Sequence, residues 1–436
     1  MYEFWQMIQT DILIIGAGAA GLAAGYELSL VNKKIAVLEA RDRIGGRINS
    51  IEDKRFKQIV ETGAEFVHGK LPVTFNLLDK AKIKYHSAEG KIWEIENGEI
   101  CKKKDFITGW DKLMKQLRSL EKDIPFSEFL NTNFLAEEDK ELKESALKFV
   151  QGYNAADAGK ASSFALLDEW KNQDDDHQER IDNGYIELMN FIAGEIKKRA
   201  NDIFTAAIVK TIKWQKGKAE VITTDDRHFF ASKVLITIPL GVWQAEGDIG
   251  SISFLPELLE KKQAAKKMGF GAVIKINLQF HDNFWEERVT NKMKGAGFIF
   301  SDAEIPTWWT QEPIKNGMLT GWLAGPKAME LKEASEEELF EKTLQVLAYI
   351  FGVENDLIKK ELIAHYITNW TADKFTRGAY SYSTLDTNWA KDVLLKPVEQ
   401  TLYFAGEALY KGSETGTVEG ALASGIEAAR EIIALS

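Results

Sequence analysis

An α/β chain opening with a Rossmann-like, dinucleotide-binding unit is what the sequence predicts, and three observations carry the prediction. A short apolar run, Ile12 to Ile15, is followed at once by Gly16, Gly18 and Gly21 in GxGxxG spacing. Gly21 to Leu30 reads as a helix with small residues on the side that must approach a sheet. A second apolar run, Ile35 to Leu38, ends on an acid, Glu39. Each residue type has a physical reason here. Gly16 permits a tight turn, Gly18 lets a pyrophosphate approach the backbone, and Gly21 lets helix and strand pack closely. The helix N-terminus offers unpaired amides and a positive dipole end to phosphates. Glu39 stands where a carboxylate accepts both ribose hydroxyls and disfavours a 2′-phosphate, which leaves NAD or FAD.

The bulk numbers set outer limits. A chain of 436 residues with 45% hydrophobic content buries a large core and is expected to divide into two domains. The net charge of −11, without a dense basic run, argues against a nucleic-acid partner and is a weak pointer to cationic substrates. Cys101 is the single cysteine, so a reducing, cytoplasmic setting is expected. "MYEFWQMIQT" has no basic region followed by an apolar run, and no stretch approaches the length of a membrane span, so neither secretion nor a membrane is expected. No metal site is expected.

The continuation "EARDRIGGR" adds a second glycine pair, Gly45 and Gly46, and Arg47, which can clamp a phosphate. At this point the chain resembles the flavin amine oxidase superfamily, and the likeness runs nearly end to end. "ETGAEFVHG" (Glu61 to Gly69) resembles the segment under the flavin in polyamine oxidases. "TAAIVKTIKWQKGKAEVIT" resembles the strand pair that returns to the FAD domain, with Val209 at the adenine. "VLITIPLGVW" (Val234 to Trp243) is similar to the family's apolar strand and Pro-Leu-Gly turn. "NWTADKFTRGAYSYS" resembles the tryptophan loop beside the isoalloxazine, and "LYFAGEALYKGSETGTVEGALASGIEAA" the C-terminal FAD motif. In that motif Glu407 reaches the ribityl chain and a helix beginning near Thr417 faces the flavin's pyrimidine end.

The resemblance thus implies FAD contacts from Gly16, Gly18, Ala20, Gly21, Glu39, Ala40, Arg41, Gly45, Gly46 and Arg47 in the first motif. It further implies contacts from Gly63, Ala64, Glu65 and Trp370 at the flavin, from Val209 at the adenine, and from Gly406, Glu407, Thr417 and Val418 in the last motif. It implies an FAD domain assembled from residues 1–75, 182–270 and 371–436, and an α+β substrate-binding domain from 76–181 and 271–370. The first substrate segment is expected to be mainly helical after a hairpin at "KIWEIENGEICKKK", where Asn97-Gly98 favours a two-residue turn. Ser335 and Glu338 form a capping box before "LFEKTLQVLAYIF", with Gly352 as its stop. "KNQDDDHQER" (Lys171 to Arg180) reads as a solvated connection.

Animal monoamine oxidases carry a cysteine where this chain has Ala379, so noncovalent FAD is expected. Of the two tyrosines that sandwich the amine there, Tyr380 matches one and Thr417 stands in the place of the other. In "MGFGAVIKINLQF" (Met268 to Phe280) alternation places Ile274, Ile276, Leu278 and Phe280 on one face and Val273, Lys275, Asn277 and Gln279 on the other. A lysine in a strand is ordinarily on a solvated face. In amine oxidases, however, this segment delivers a lysine that holds a water against flavin N5, so Lys275, with its polar face toward the catalytic cavity, is the principal catalytic candidate. His68 matches a histidine of animal polyamine oxidases that binds a second amine or adjusts substrate protonation.

The implied activity is hydride transfer from an amine α-carbon to N5, hydrolysis of the resulting imine, and reoxidation by dioxygen with release of hydrogen peroxide. A primary amine or polyamine is the implied substrate. An L-amino-acid oxidase would need an arginine for the carboxylate; Arg377 is the one in a site motif, and the family pattern shares it. A flavin desaturase or dehydrogenase of the same superfamily usually lacks the Lys275 arrangement. A non-catalytic flavoprotein is opposed by the retained lysine, and a histone demethylase by the lack of a recognisable chromatin-reading module or inserted coiled coil. Monomer and homodimer both stay open.

Overall fold

The computed structural model describes residues 8–69, 71–101, 107–172, 178–247 and 249–435. The predicted strands Ile12–Ile15 and Ile35–Leu38 lie side by side in a five-stranded, all-parallel sheet. Its order is Asp202–Phe204, Ile35–Leu38, Ile12–Ile15, Lys233–Ile236 and Leu402–Phe404. All four residues of Ile12–Ile15 are buried, because both faces of a parallel sheet are covered. Ile12 and Ile14 pack against the helices Ala19–Ser29, Ile186–Lys198 and Val418–Ala434. Leu13 and Ile15 face a second, mixed five-stranded sheet containing Val209–Gln215 and Lys218–Thr223. The parallel sheet therefore draws strands from three distant stretches of chain.

Helices Ala19–Ser29 and Val418–Ala434 touch through glycine: a Cβ on Gly425 would lie 2.1 Å from the Ala20 carbonyl oxygen. This close packing brings the N-termini of the first and last helices to the same region.

A seven-stranded sheet forms the other half. Its order is Leu362–Asn369, Val273–Phe280, Met318–Ala324, Thr307–Thr310, Ala296–Ser301, Lys91–Glu96 and Glu99–Cys101. Asn97 and Gly98 connect the last two strands with φ of 52° and 77°, the left-handed pair a two-residue hairpin requires. Helix Glu336–Phe351 has the full capping box of Ser335 and Glu338 and stops at Gly352 with φ 64°. Helices Trp110–Arg118, Phe126–Asn133, Lys140–Gly152 and Ser163–Asn172 build a separate apolar cluster around Phe126, Phe129 and Trp170.

The Val273–Phe280 strand is paired on both edges and buried at every residue, so it has no solvated face. The charge run departs from the expected solvated connection. Residues 173–177 lie outside the described residues, but Gln178–Ile181 is the central strand of an antiparallel three-stranded sheet, between Phe66–His68 and Tyr85–Ser87. Arg180 is only 5% exposed. Among the described residues, no helix is long and apolar enough to cross a membrane.

Candidate functional site

The strand-to-helix turn is shaped by sterics. Gly16 has φ 107°, and a Cβ on Gly21 would sit 1.9 Å from the Gly16 carbonyl oxygen. Gly18 precedes the helix and has no atom within 4 Å of the place a Cβ would take, so its backbone is open to a cavity. Gly45 has φ 94°, and Gly46, at φ 60°, would bring a Cβ to 3.3 Å from the Gly18 Cα. Glu39 is 5% exposed, and its carboxylate accepts from the amides of Ala17 (2.8 Å) and Arg41 (2.9 Å). Each oxygen keeps lone pairs for a further donor. Arg41 pairs with Asp373.

Arg47, expected as a phosphate clamp, lines the cavity. Its Nη1 donates to Glu407 Oε1 (2.7 Å) and to the Ala379 carbonyl (2.6 Å). Glu407 Oε2 accepts from the Ser381 hydroxyl at 2.6 Å. The arginine and the acid thus hold each other and tie the first motif to the last. Thr417, which stands in the place of the second cage tyrosine and leaves only half of that cage, is where the last helix begins. It is the N-cap of Val418–Ala434, its hydroxyl accepting from Gly420 N (3.1 Å) and donating to the Glu414 carbonyl (2.6 Å). A hydroxyl spent on a cap is not a cage wall.

Lys275 lies in a buried polar cluster. Its ammonium donates to Glu65 Oε2 at 2.8 Å and to the Gly63 carbonyl at 3.0 Å, with the ring of Trp309 5.4 Å away. Lysine has three N–H donors, so one is left for a cavity occupant. Glu65, expected at the cofactor, is instead the hub of this cluster. Its Oε1 accepts from Arg180 Nε (3.1 Å) and Gln311 Nε2 (3.1 Å), and Trp309 Nε1 lies 3.0 and 3.1 Å from its two oxygens. Burial alone would raise its pKa, but the charges of Lys275 and Arg180 hold it well below the usual carboxylate range. Nearby Glu61 is pushed up to about 7, chiefly by burial. Of the strand's other polar residues, neither Asn277 nor Gln279 reaches the cavity. Asn277 donates to the Glu61 carbonyl, and Gln279 donates to the carbonyls of Phe280 and Asn316 and accepts from Lys57 N. The segment 57–61 that covers the strand decides this.

Above Lys275 the walls are aromatic. Tyr380 stacks on Trp322 (centroids 6.4 Å apart, 16° between planes) and its hydroxyl donates to the Tyr153 carbonyl at 2.6 Å. Trp322 lies 5.9 Å from Trp309. Trp370 donates through Nε1 to the Thr62 carbonyl at 2.8 Å, locking the tryptophan loop over Gly63. His68 lines the cavity with its side chain exposed to it, and the partial loss of hydration there lowers its pKa against the opposing charge of Glu65. Glu169, joined to Asn154 Nδ2 at 2.9 and 3.0 Å, is pushed up to about 7 by burial.

These groups share one cavity of about 1580 Å³. Gly16, Gly18, Ala20, Glu39, Ala40, Arg41, Gly45, Gly46, Arg47, Gly63, Ala64, Glu65, His68, Val209, Lys275, Trp370, Tyr380, Gly406, Glu407, Thr417 and Val418 all line it. Gly21 does not, in keeping with its packing role. Arg377 also lies off the lining and donates to the Ile249 carbonyl (3.2 Å). Sequence reasoning missed Trp309, Trp322, Tyr153, Glu169 and Arg180. Only the "TWWT" and "TGWLA" strands carried a local hint, as aromatics in runs of strand-forming residues.

The cavity is continuous from the glycine turn to the aromatic residues. It runs from Glu39 and Val209, past the open backbones of Gly18 and Gly406, to the aromatic chamber. A family model described as flavin containing amine oxidoreductase matches residues 19–433. Lysine-specific histone demethylase 2 of Homo sapiens is 28% identical over 97% of this chain and 53% of its own length. Polyamine oxidase 4 of Oryza sativa subsp. japonica is 25% identical over 97% of this chain and 88% of its own length. The chain thus spans about half the length of the histone demethylases it matches. Among solved structures, putrescine oxidase bound to putrescine superposes with a TM-score of 0.79 at 23% identity, covering 98% of this chain and 100% of that one. Cyclohexylamine oxidase from Brevibacterium oxydans does so with a TM-score of 0.79 at 18% identity, covering 98% and 99%.

Proposed function

The chain belongs to the flavin containing amine oxidoreductases, and from that premise we propose that it binds FAD without a covalent link and oxidises a primary amine or polyamine at the expense of dioxygen. The observation that carries this reading is the single cavity that joins the Gly18–Glu39 nucleotide cradle to a buried lysine under aromatic walls. Glu39 would take the ribose, the open amides at the start of Ala19–Ser29 the pyrophosphate, and the N-terminus of Val418–Ala434 the electron-rich end of the flavin. FAD, when bound, supplies the hydride acceptor.

The chain's own residues do the rest. Tyr380 and Trp322 form parallel walls that orient an amine and exclude water. His68, on the cavity wall, can accept a hydrogen bond from an ammonium group and so help to hold it. Lys275 offers its remaining N–H to a water beside the flavin and serves proton transfer during reoxidation.

A peroxide-coupled screen of the flavin-loaded protein tests the reading, using monoamines, diamines, polyamines, amino acids and a methyl-lysine peptide. Turnover of a primary amine or polyamine is the expected result. Peroxide from the peptide or from amino acids alone would replace it with demethylase or amino-acid oxidase activity. Acid precipitation should release all yellow colour into the supernatant. Ala379 stands at the attachment position, and Cys101 is not among the residues lining the cavity. Flavin remaining with the precipitated protein would overturn noncovalent binding.

A further inference from the structure

Arg180 is the feature of the cluster that no motif announces. It is 5% exposed at the centre of a three-stranded sheet, with its guanidinium over the Phe66 ring at 4.6 Å. Nη2 donates to the Thr310 carbonyl (2.8 Å), on the seven-stranded sheet that carries Lys275, and Nη1 to that of Glu312 (3.3 Å), in the turn that follows the Thr307–Thr310 strand. Its Nε donates to Glu65 Oε1, while Lys275 takes Oε2. A planar fork with three fixed acceptors has little freedom, so the carboxylate it grips is fixed as well.

We propose that Arg180 is a positioning residue for Lys275, acting through Glu65: it holds one carboxylate oxygen, presents the other to the lysine, and by sharing the anion leaves the lysine's charge only partly balanced. The proposal rests on the reading of Lys275 as the residue that serves the flavin. Two cations on one carboxylate repel each other, so removing one leaves the whole of the anion's charge to the other. The other titratable groups beside the cluster include Glu61, on the strand before Gly63, His68, two residues beyond Phe66, and Glu312, whose carbonyl accepts from Arg180. Burial pushes Glu61 up, away from its charged form, and none of the three is hydrogen-bonded to Lys275 as Glu65 is.

The test measures Lys275 directly. Holoenzyme carrying ε-¹³C-lysine is titrated by NMR, with the Lys275 resonance assigned by its loss in Lys275→Met. Arg180→Gln removes the competing cation, so the Lys275 midpoint should rise by about one pH unit. Arg180→Lys restores the charge and should return the midpoint toward that of the parent protein. Where Arg180→Gln does not hold flavin, Arg180→Met, which keeps the stem over Phe66, takes its place. The alkaline limb of reduced-flavin reoxidation should move in the same direction. A residue that only braces the two sheets would lower thermal stability and leave the midpoint in place, and an unmoved midpoint in a flavinated neutral variant overturns the proposal. The premise fails separately: if Lys275→Met keeps the parent's reoxidation rate and limb, the lysine does not serve the flavin, whatever Arg180 does to its titration.

Discussion

Lys275→Met should slow reaction of the reduced flavin with dioxygen by about 10²-fold or more, the scale of a lost acid–base group, while the protein stays folded and flavinated. Methionine keeps the length and apolar stem but removes the ammonium. Were the lysine on a solvated face, the change would pass almost unnoticed, within about 0.5 kcal/mol of stability. The structure excludes that face, since Lys275 is 1% exposed and bonded to Glu65 and Gly63. Breaking a buried ion pair costs about 3–5 kcal/mol when it strands the partner charge. Here Glu65 keeps Arg180, Trp309 and Gln311, so the loss of stability should be smaller than that. Stopped-flow mixing of anaerobically reduced enzyme with oxygenated buffer isolates the step from amine oxidation. An unchanged rate in well-folded Lys275→Met would return the lysine to a purely structural place.

Glu39→Ala should yield protein with little bound flavin. Two charge-assisted hydrogen bonds to ribose hydroxyls, at roughly 1.5–3 kcal/mol each, correspond to an affinity loss of about 10²-fold or more. The structure adds a second effect. The same carboxylate satisfies the amides of Ala17 and Arg41, so alanine leaves two donors without a partner at the mouth of the cradle. Each buried, unsatisfied donor costs about 1–3 kcal/mol. Thermal stability of the flavin-free protein should therefore fall too. Flavin content at purification, the dissociation constant from fluorescence quenching, and a melting curve of stripped protein read the three effects apart. Full occupancy with unchanged affinity would remove Glu39 from the cofactor site.

The pattern of what could be read early follows from the range of the forces involved. Strands Ile12–Ile15 and Ile35–Leu38, the turn between Gly16 and Gly21, the Asn97-Gly98 hairpin, the Ser335–Glu338 cap and the helix start at Thr417 are all set by neighbours in the chain. Backbone dihedrals, a missing Cβ and a side chain that reaches three residues ahead are local properties, and the sequence by itself determined them. The tertiary structure decided how those pieces are used. Lys275 meets Glu65 across 210 residues, Arg180 meets the same acid across 115, and Arg47 meets Glu407 across 360. Nothing local distinguishes Arg180 from the charges before it in "KNQDDDHQER". It became a buried clasp because strand pairing inserts Gln178–Ile181 between Phe66–His68 and Tyr85–Ser87. Similarly, Asn277 and Gln279 share an alternation with Lys275, yet the covering segment 57–61 takes their hydrogen bonds and leaves only the lysine at the cavity. Composition and spacing specify which groups are present and which backbone they favour. A charge inside the protein is stable only beside the partners that topology delivers, and those partners set what it does.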